Sequence, residues 1–204
     1  MKNVSVLMVG VGGQGVILAS DILAEVAMAS GYDVKKSDSI GMAQRGGSVV
    51  SNIRFGERVF SPLIGAGEVD YLIGFEELEA ARWSPYLKQN GIAIVADVVL
   101  VPLTISEKVP HPEWEGTKAI LGEYTKKVYL VPASEIGAEI GNTRALNVVL
   151  LGFISHFLDI KQETWRETIK EKIPPLYAAS SIRAFKRGAL SAAKMISTVK
   201  EAKK

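Results

Sequence analysis

A Rossmann-like, three-layer α/β domain with a mixed sheet, an inserted β-hairpin and C-terminal helices is the fold this sequence predicts, on three patterns. Short apolar runs of strand length alternate with segments of helical periodicity. A glycine-rich turn, Gly10-Val11-Gly12-Gly13-Gln14-Gly15, separates the first run from the first helical segment. Inside that alternation one stretch has a period of two, the mark of an antiparallel ribbon. The chain of 204 residues suits one domain, expected to span residues 1–204.

Val4 to Val9 is nearly continuous in apolar residues, as a strand covered on both faces requires. Val16, Ala19, Ile22, Leu23, Val26 and Ala27 then recur at helical spacing, with Gly31 placed to end the helix. A second strand is expected around Tyr32 to Lys36. Val49, Ser51, Ile53 and Phe55 alternate with Val50, Asn52 and Arg54, and Gly56-Glu57 offers a type II′ turn into Arg58 to Phe60. A strand at Tyr71 to Phe75, a helix from Glu76 to Lys88 closed by Asn90-Gly91, and a strand at Ile92 to Ala96 follow. The proline-bearing stretch Asp97 to Glu115 reads as irregular. Beyond it are expected a helix near Thr117 to Lys126, a strand at Val128 to Val131 and a short helix from Pro132 through Ile140. Asn142 is placed to cap a helix reaching about Leu158, apolar nearly all round and therefore buried on every side. Helices at Gln162 to Lys172 and Leu176 to Lys200 end the chain.

Composition narrows function. The 24 basic and 22 acidic residues are interspersed, which does not suggest a nucleic-acid partner, and Lys200, Lys203 and Lys204 read as a solvated helix end. There is no cysteine, hence no thiolate nucleophile and no cysteine-ligated iron–sulfur cluster on this chain. Only His111, in a proline-flanked loop, and His156, read as a packed helix residue, could serve a zinc site, which is too few. No targeting segment is visible, and the most apolar stretch, Ala145 to Ile160, falls short of the ~20 residues a membrane span needs. The chain is expected to be cytoplasmic, with no membrane partner.

The glycine turn lies between strand and helix, where backbone N–H groups and a partial positive charge can receive an anion or a polar cofactor group. A dinucleotide site also wants an acid about 20 residues on, at the end of the second strand. Asp33 stands at that strand's start and Asp38 comes late. Three readings stay open: a stand-alone NAD-type site, a packing turn in a scaffold with no small ligand, and contact with a cofactor or loop presented by a partner. A second cluster, Gly41 to Ser48, carries Arg45 beside Gly46 and Gly47 and suits a phosphate, a carboxylate or an acidic partner. Glu76 and Glu77 form a carboxylate pair at a strand's carboxyl end, where α/β ligands often bind, and read first as acids favoured in a helix's first turn. Arg144 and Asn147, on an otherwise apolar helix, should face a polar cleft, a partner or each other, because burying them unpaired costs a few kcal/mol.

In this order, the Gly10-to-Gly15 turn, the Arg45-Gly46-Gly47 loop and the set Asn142, Arg144, Asn147, Leu151, Gly152 resemble the gamma domain of the pyruvate and ketoacid:ferredoxin oxidoreductases, over nearly the whole chain. A free-standing chain of this pattern is most similar to the small subunit of the indolepyruvate type. The resemblance implies a non-catalytic subunit of a complex that oxidatively decarboxylates a 2-oxoacid to an acyl-CoA, with ferredoxin as acceptor. It implies thiamine diphosphate and iron–sulfur clusters on a large partner subunit, and coenzyme A on or shared with that partner, no cofactor being bound by this chain alone. It assigns Gly10, Gly12, Gly13, Gln14, Gly15, Arg45, Gly46, Gly47, Arg144 and Asn147 to the coenzyme-facing boundary, with no catalytic residue and no metal ligand here.

Overall fold

The computed structural model describes residues 3–41, 46–100 and 113–201. The chain runs β1 (Val4–Val11), α1 (Val16–Ala29), β2 (Asp33–Ile40), β3 (Ser48–Gly56), β4 (Val69–Gly74) and α2 (Glu77–Arg82). A 3₁₀ turn at Ser84–Tyr86 leads to β5 (Leu87–Ala96), α3 (Trp114–Tyr124), β6 (Lys127–Val131) and α4 (Ala133–Ile140). A second 3₁₀ turn at Thr143–Ala145 precedes α5 (Leu146–Ser155), α6 (Gln162–Lys172) and α7 (Pro175–Glu201). No helix among the described residues is long and apolar enough to cross a membrane.

The strands form one six-stranded sheet in the order β2-β3-β1-β4-β5-β6. Strands β1, β4, β5 and β6 are parallel, while β3 lies antiparallel between β1 and β2. The pleat explains the apolar runs: Val6 and Met8 enter the core on one face, Leu7 and Val9 the core on the other. On the first face the sheet is covered by α1 and by α4 to α7, on the second by α2 and α3. In α1, Ile22, Leu23 and Val26 are fully buried, each contributing about 1.5–3 kcal/mol of burial. Gly31 takes φ +87° just past the end of α1, the left-handed residue that stops a helix there.

Helix α5 is the centre of the larger core; every residue from Asn147 to Ser155 is buried. It meets α7 so closely that Cβ atoms would not fit at two glycines. A Cβ on Gly152 would lie 2.0 Å from Phe185 O, and one on Gly188 would lie 2.0 Å from Val149 O. Trp165 stacks on Phe185 beside this crossing, with ring centroids 5.6 Å apart.

The hairpin differs from its expected form. The alternating stretch is β3, but it pairs with β1 on one side and β2 on the other, and Gly56-Glu57 is no hairpin turn. Arg58 to Phe60 is not a strand, because Val59 N–H donates to Asp33 Oδ2 at 2.8 Å rather than to a ladder. The expected Glu76-to-Lys88 helix stops at Arg82, and Leu87 to Asn90 already belong to β5. Gly91 sits inside that strand at an irregular register, where an added Cβ would lie 2.9 Å from Val69 O. Asn142 does not cap α5; its Nδ2 donates to Ser180 Oγ at 3.0 Å, and α5 ends at Ser155. His156 follows as an exposed residue, its ring edge-on to Phe157.

Candidate functional site

From β1 the chain crosses towards β2, and from β4 it crosses the other way, to β5. The carboxyl ends of β1 and β4 therefore flank a switch point, the place where open α/β sheets leave a crevice. The glycine turn sits there. Gly10 packs so tightly that an added Cβ would lie 2.7 Å from both Gln14 Oε1 and Phe75 Cβ. Gln14 Oε1 accepts from Val11 N–H at 2.8 Å, and its Nε2 donates to Phe75 O at 2.9 Å. Gly12 N–H donates to Gly47 O at 2.9 Å, which ties the turn to the described end of the second glycine cluster. Gly13, at φ +105°, and Gly46, at φ +78°, both have open space where a side chain would stand.

Past the turn lies a cleft of about 500 Å³, lined by Gly13, Gly15, Leu18, Val98, Leu100, Ser134, Arg144 and Asn147. Helix α1 opens on this cleft without a side-chain cap and with no acidic residue in its first turn. Its first N–H groups are thus left for an outside acceptor. Asn147 is only 4% exposed; its Oδ1 accepts from Val148 N–H at 2.9 Å. Its Nδ2 stands 2.7 Å from the point a Cβ on Gly15 would occupy. Gly15, at φ +78°, is therefore required both by its backbone and by this amide. Arg144 is exposed at the cleft's rim. Ser134, also in the lining, donates its hydroxyl and its N–H to the carboxylate of Asp97. Towards the cleft Ser134 can only accept. The lining therefore offers donors and positive charge together with an acceptor amid apolar side chains.

Of the residues singled out in the sequence, Gly13, Gln14, Gly15, Arg144 and Asn147 line this one cleft. Gly10, Gly12 and Gly47 lie behind it, in the packing of the turn. Arg45 and His111 lie outside the described residues. The acid wanted by a dinucleotide site is misplaced: β3 intervenes, so Asp38 on β2 is two strand spacings, about 10 Å, from β1. Asp38 is also committed, to Ser51 Oγ at 2.6 Å and Lys36 Nζ at 2.6 Å. Burial works against the Lys36 ammonium, yet its hydrogen bonds to Asp21 and Asp38 carry it above the ordinary lysine value. Glu76 caps α2, its Oε2 accepting from Glu79 N–H at 2.8 Å, and Glu79 Oε2 accepts from Ser48 Oγ at 2.6 Å. Val98, Leu100 and Ser134 were not singled out in the sequence. Their signal is positional, since they follow the carboxyl ends of the parallel strands β5 and β6.

The family model described as "Pyruvate ferredoxin/flavodoxin oxidoreductase" matches residues 5–191. The chain is 32% identical over 200 residues to the indolepyruvate oxidoreductase subunit IorB of Thermococcus kodakarensis, covering 96% of this chain and 99% of that one. It superposes on the gamma subunit of a keto/oxoacid ferredoxin oxidoreductase from Geobacter sulfurreducens with a TM-score of 0.70, at 22% identity, over 94% of this chain and 99% of that one. It also superposes on the 2-oxoglutarate:ferredoxin oxidoreductase of Magnetococcus marinus with a TM-score of 0.73, at 19% identity, over 95% of this chain but only 32% of that longer one. That structure holds 2-oxoglutarate, coenzyme A and succinyl-CoA.

Proposed function

Because this chain belongs to the pyruvate ferredoxin/flavodoxin oxidoreductase family, as a small subunit of a 2-oxoacid:ferredoxin oxidoreductase, we propose that its complex oxidises indolepyruvate or another aryl pyruvate to the acyl-CoA. In this reading the chain forms one gamma-type domain that supplies no catalytic residue. Thiamine diphosphate and the iron–sulfur clusters belong on a large partner subunit, and ferredoxin takes the electrons. The lack of any cysteine supports that division, since the thiolates that hold such clusters must come from elsewhere.

The observation that carries the reading is the cleft at the switch point. A space of about 500 Å³ fits part of a coenzyme A molecule, with the remainder lying on the partner. Arg144, the Asn147 amide and the uncapped start of α1 suit anionic or carbonyl oxygens of that molecule, and Ser134 suits an amide N–H. Coenzyme A accepts the acyl group in the complex. This chain's part is to hold and orient it: Arg144 and Asn147 fix its oxygens, and Leu18, Val98 and Leu100 keep water from its apolar arm.

Co-expression with the thiamine-binding large subunit tests this. The complex is expected to reduce ferredoxin with indolepyruvate and coenzyme A, with kcat/KM for indolepyruvate above that for pyruvate or 2-oxoglutarate, while the chain alone does neither. Arg144→Ala should raise KM for coenzyme A by about tenfold, the worth of one charge-assisted hydrogen bond, and leave KM for indolepyruvate unchanged. Turnover by the isolated chain, or an unchanged KM for coenzyme A in that variant, refutes the proposal.

A further inference from the structure

The side chain of Gln14 points along the sheet rather than out of it. Its Oε1 accepts from Val11 N–H at 2.8 Å while its own N–H donates to Val11 O at 3.1 Å, so one residue takes up both main-chain groups of another. The same amide reaches across to β4, Nε2 donating to Phe75 O at 2.9 Å. The β1–β4 pairing ends at Val9 and Gly74, and Phe75 N–H still donates to Val9 O at 2.8 Å. The Gln14 amide thus adds a rung where the backbone ladder has run out. Only a glycine at position 10 leaves room for it.

A turn holding Gly12, Gly13 and Gly15 has more conformations open to it than one built of residues with side chains, and a ligand that has to select one loses affinity. We propose that Gln14 is a positioning residue: it holds the glycine turn in the single shape that the cleft's ligand needs, without bonding that ligand itself. This rests on the reading of the cleft as facing coenzyme A, and it assigns the effect of Gln14 to affinity for that molecule.

The test uses the complex with its large subunit and three variants. Gln14→Leu removes both side-chain bonds, Gln14→Glu keeps an acceptor for Val11 N–H but sets a carboxylate oxygen against Phe75 O, and Arg144→Ala reports on the cleft independently. Hydrogen exchange of the segment from Val9 to Val16 and the steady-state constants for coenzyme A are measured in each. In Gln14→Leu, exchange of the Val11 amide should rise about tenfold and KM for coenzyme A by a similar factor, each the worth of one hydrogen bond, with the loss in KM rather than kcat. In Gln14→Glu, Val11 should stay protected while KM still rises. Unchanged exchange in Gln14→Leu overturns the proposal. Faster exchange with unchanged KM, when Arg144→Ala raises KM, also overturns it and leaves the reading of the cleft intact. Unchanged KM in all three variants overturns both.

Discussion

Replacing Gly152 by alanine tests how the larger core is built. The added Cβ would lie 2.0 Å from Phe185 O, 2.9 Å from Phe185 C and 3.0 Å from Ala189 N, all of them backbone atoms of α7. A carbon and a carbonyl oxygen need about 3.3 Å, so α5 and α7 must part by roughly 1.3 Å along that line. Helix α5 is buried on all sides and has no free face to move into. Overpacking of this kind costs about 1–3 kcal/mol, against which alanine's better helix propensity returns about 1 kcal/mol. With two backbones forced apart rather than one side chain turned aside, the net loss is expected near 2 kcal/mol. For a chain of this size that lowers Tm by about 4–8 °C. Gly122→Ala in α3 is the control: nothing lies within 4 Å of its added Cβ, so propensity alone should stabilise the protein by up to about 1 kcal/mol. The two variants are compared by thermal unfolding followed by circular dichroism. A neutral or stabilising Gly152→Ala refutes the close-crossing argument.

Two further outcomes follow from polar contacts. The lysine at Lys35 first, and then the Val59 N–H, hold the Asp33 carboxyl below the ordinary aspartate range. Its stabilisation is complete above the unfolded value near pH 4 and is lost as pH falls through the lower folded value. Asp33→Asn should therefore be less stable than the parent at neutral pH, with the difference shrinking as pH falls below about 4, and amide exchange at Val59 should be faster in the variant only in the upper range. Asp97 bonds the N–H and hydroxyl of Ser134 at the start of α4. Asp97→Ala should cost about 1 kcal/mol, as a lost cap does, read as a fall in Tm of about 2–4 °C.

The parts of the fold that were legible in the sequence are those whose local pattern has one solution. Val4 to Val9 is too short and too apolar for anything but a buried strand, and the Val16 to Ala27 spacing closes on Gly31, whose positive φ ends the helix as expected. The true partner of the hairpin strand is not legible, for a physical reason. Strand β2, Asp33-Val-Lys-Lys-Ser-Asp-Ser-Ile40, is an edge strand with no fully buried residue, so its sequence carries no alternation to mark it as the partner of β3. Leu87 and Lys88 fit the end of a helix closed by Asn90-Gly91 as well as they fit a strand, because a short run of mixed residues suits either period, and Pro85 in the preceding 3₁₀ turn is the sign of the break. At the cleft, the glycine turn, Arg144 and Asn147 announce themselves by being out of character with their surroundings. Val98, Leu100 and Ser134 do not, because what brings them to the turn is the order of strands in the sheet, which no local window contains.

The placement of β3 also bears on the order in which the chain can take shape. With β1 and β2 each paired to β3 and not to each other, the segment from Val4 to Ile40 holds two strands with no ladder between them. No sheet can begin to consolidate until the segment ending at Gly56 has emerged and closed both ladders at once. During synthesis α1 must wait for its seat, with Ile22, Leu23 and Val26 uncovered in the interval. Apolar surface left uncovered in this way is what makes a partly made chain prone to aggregation.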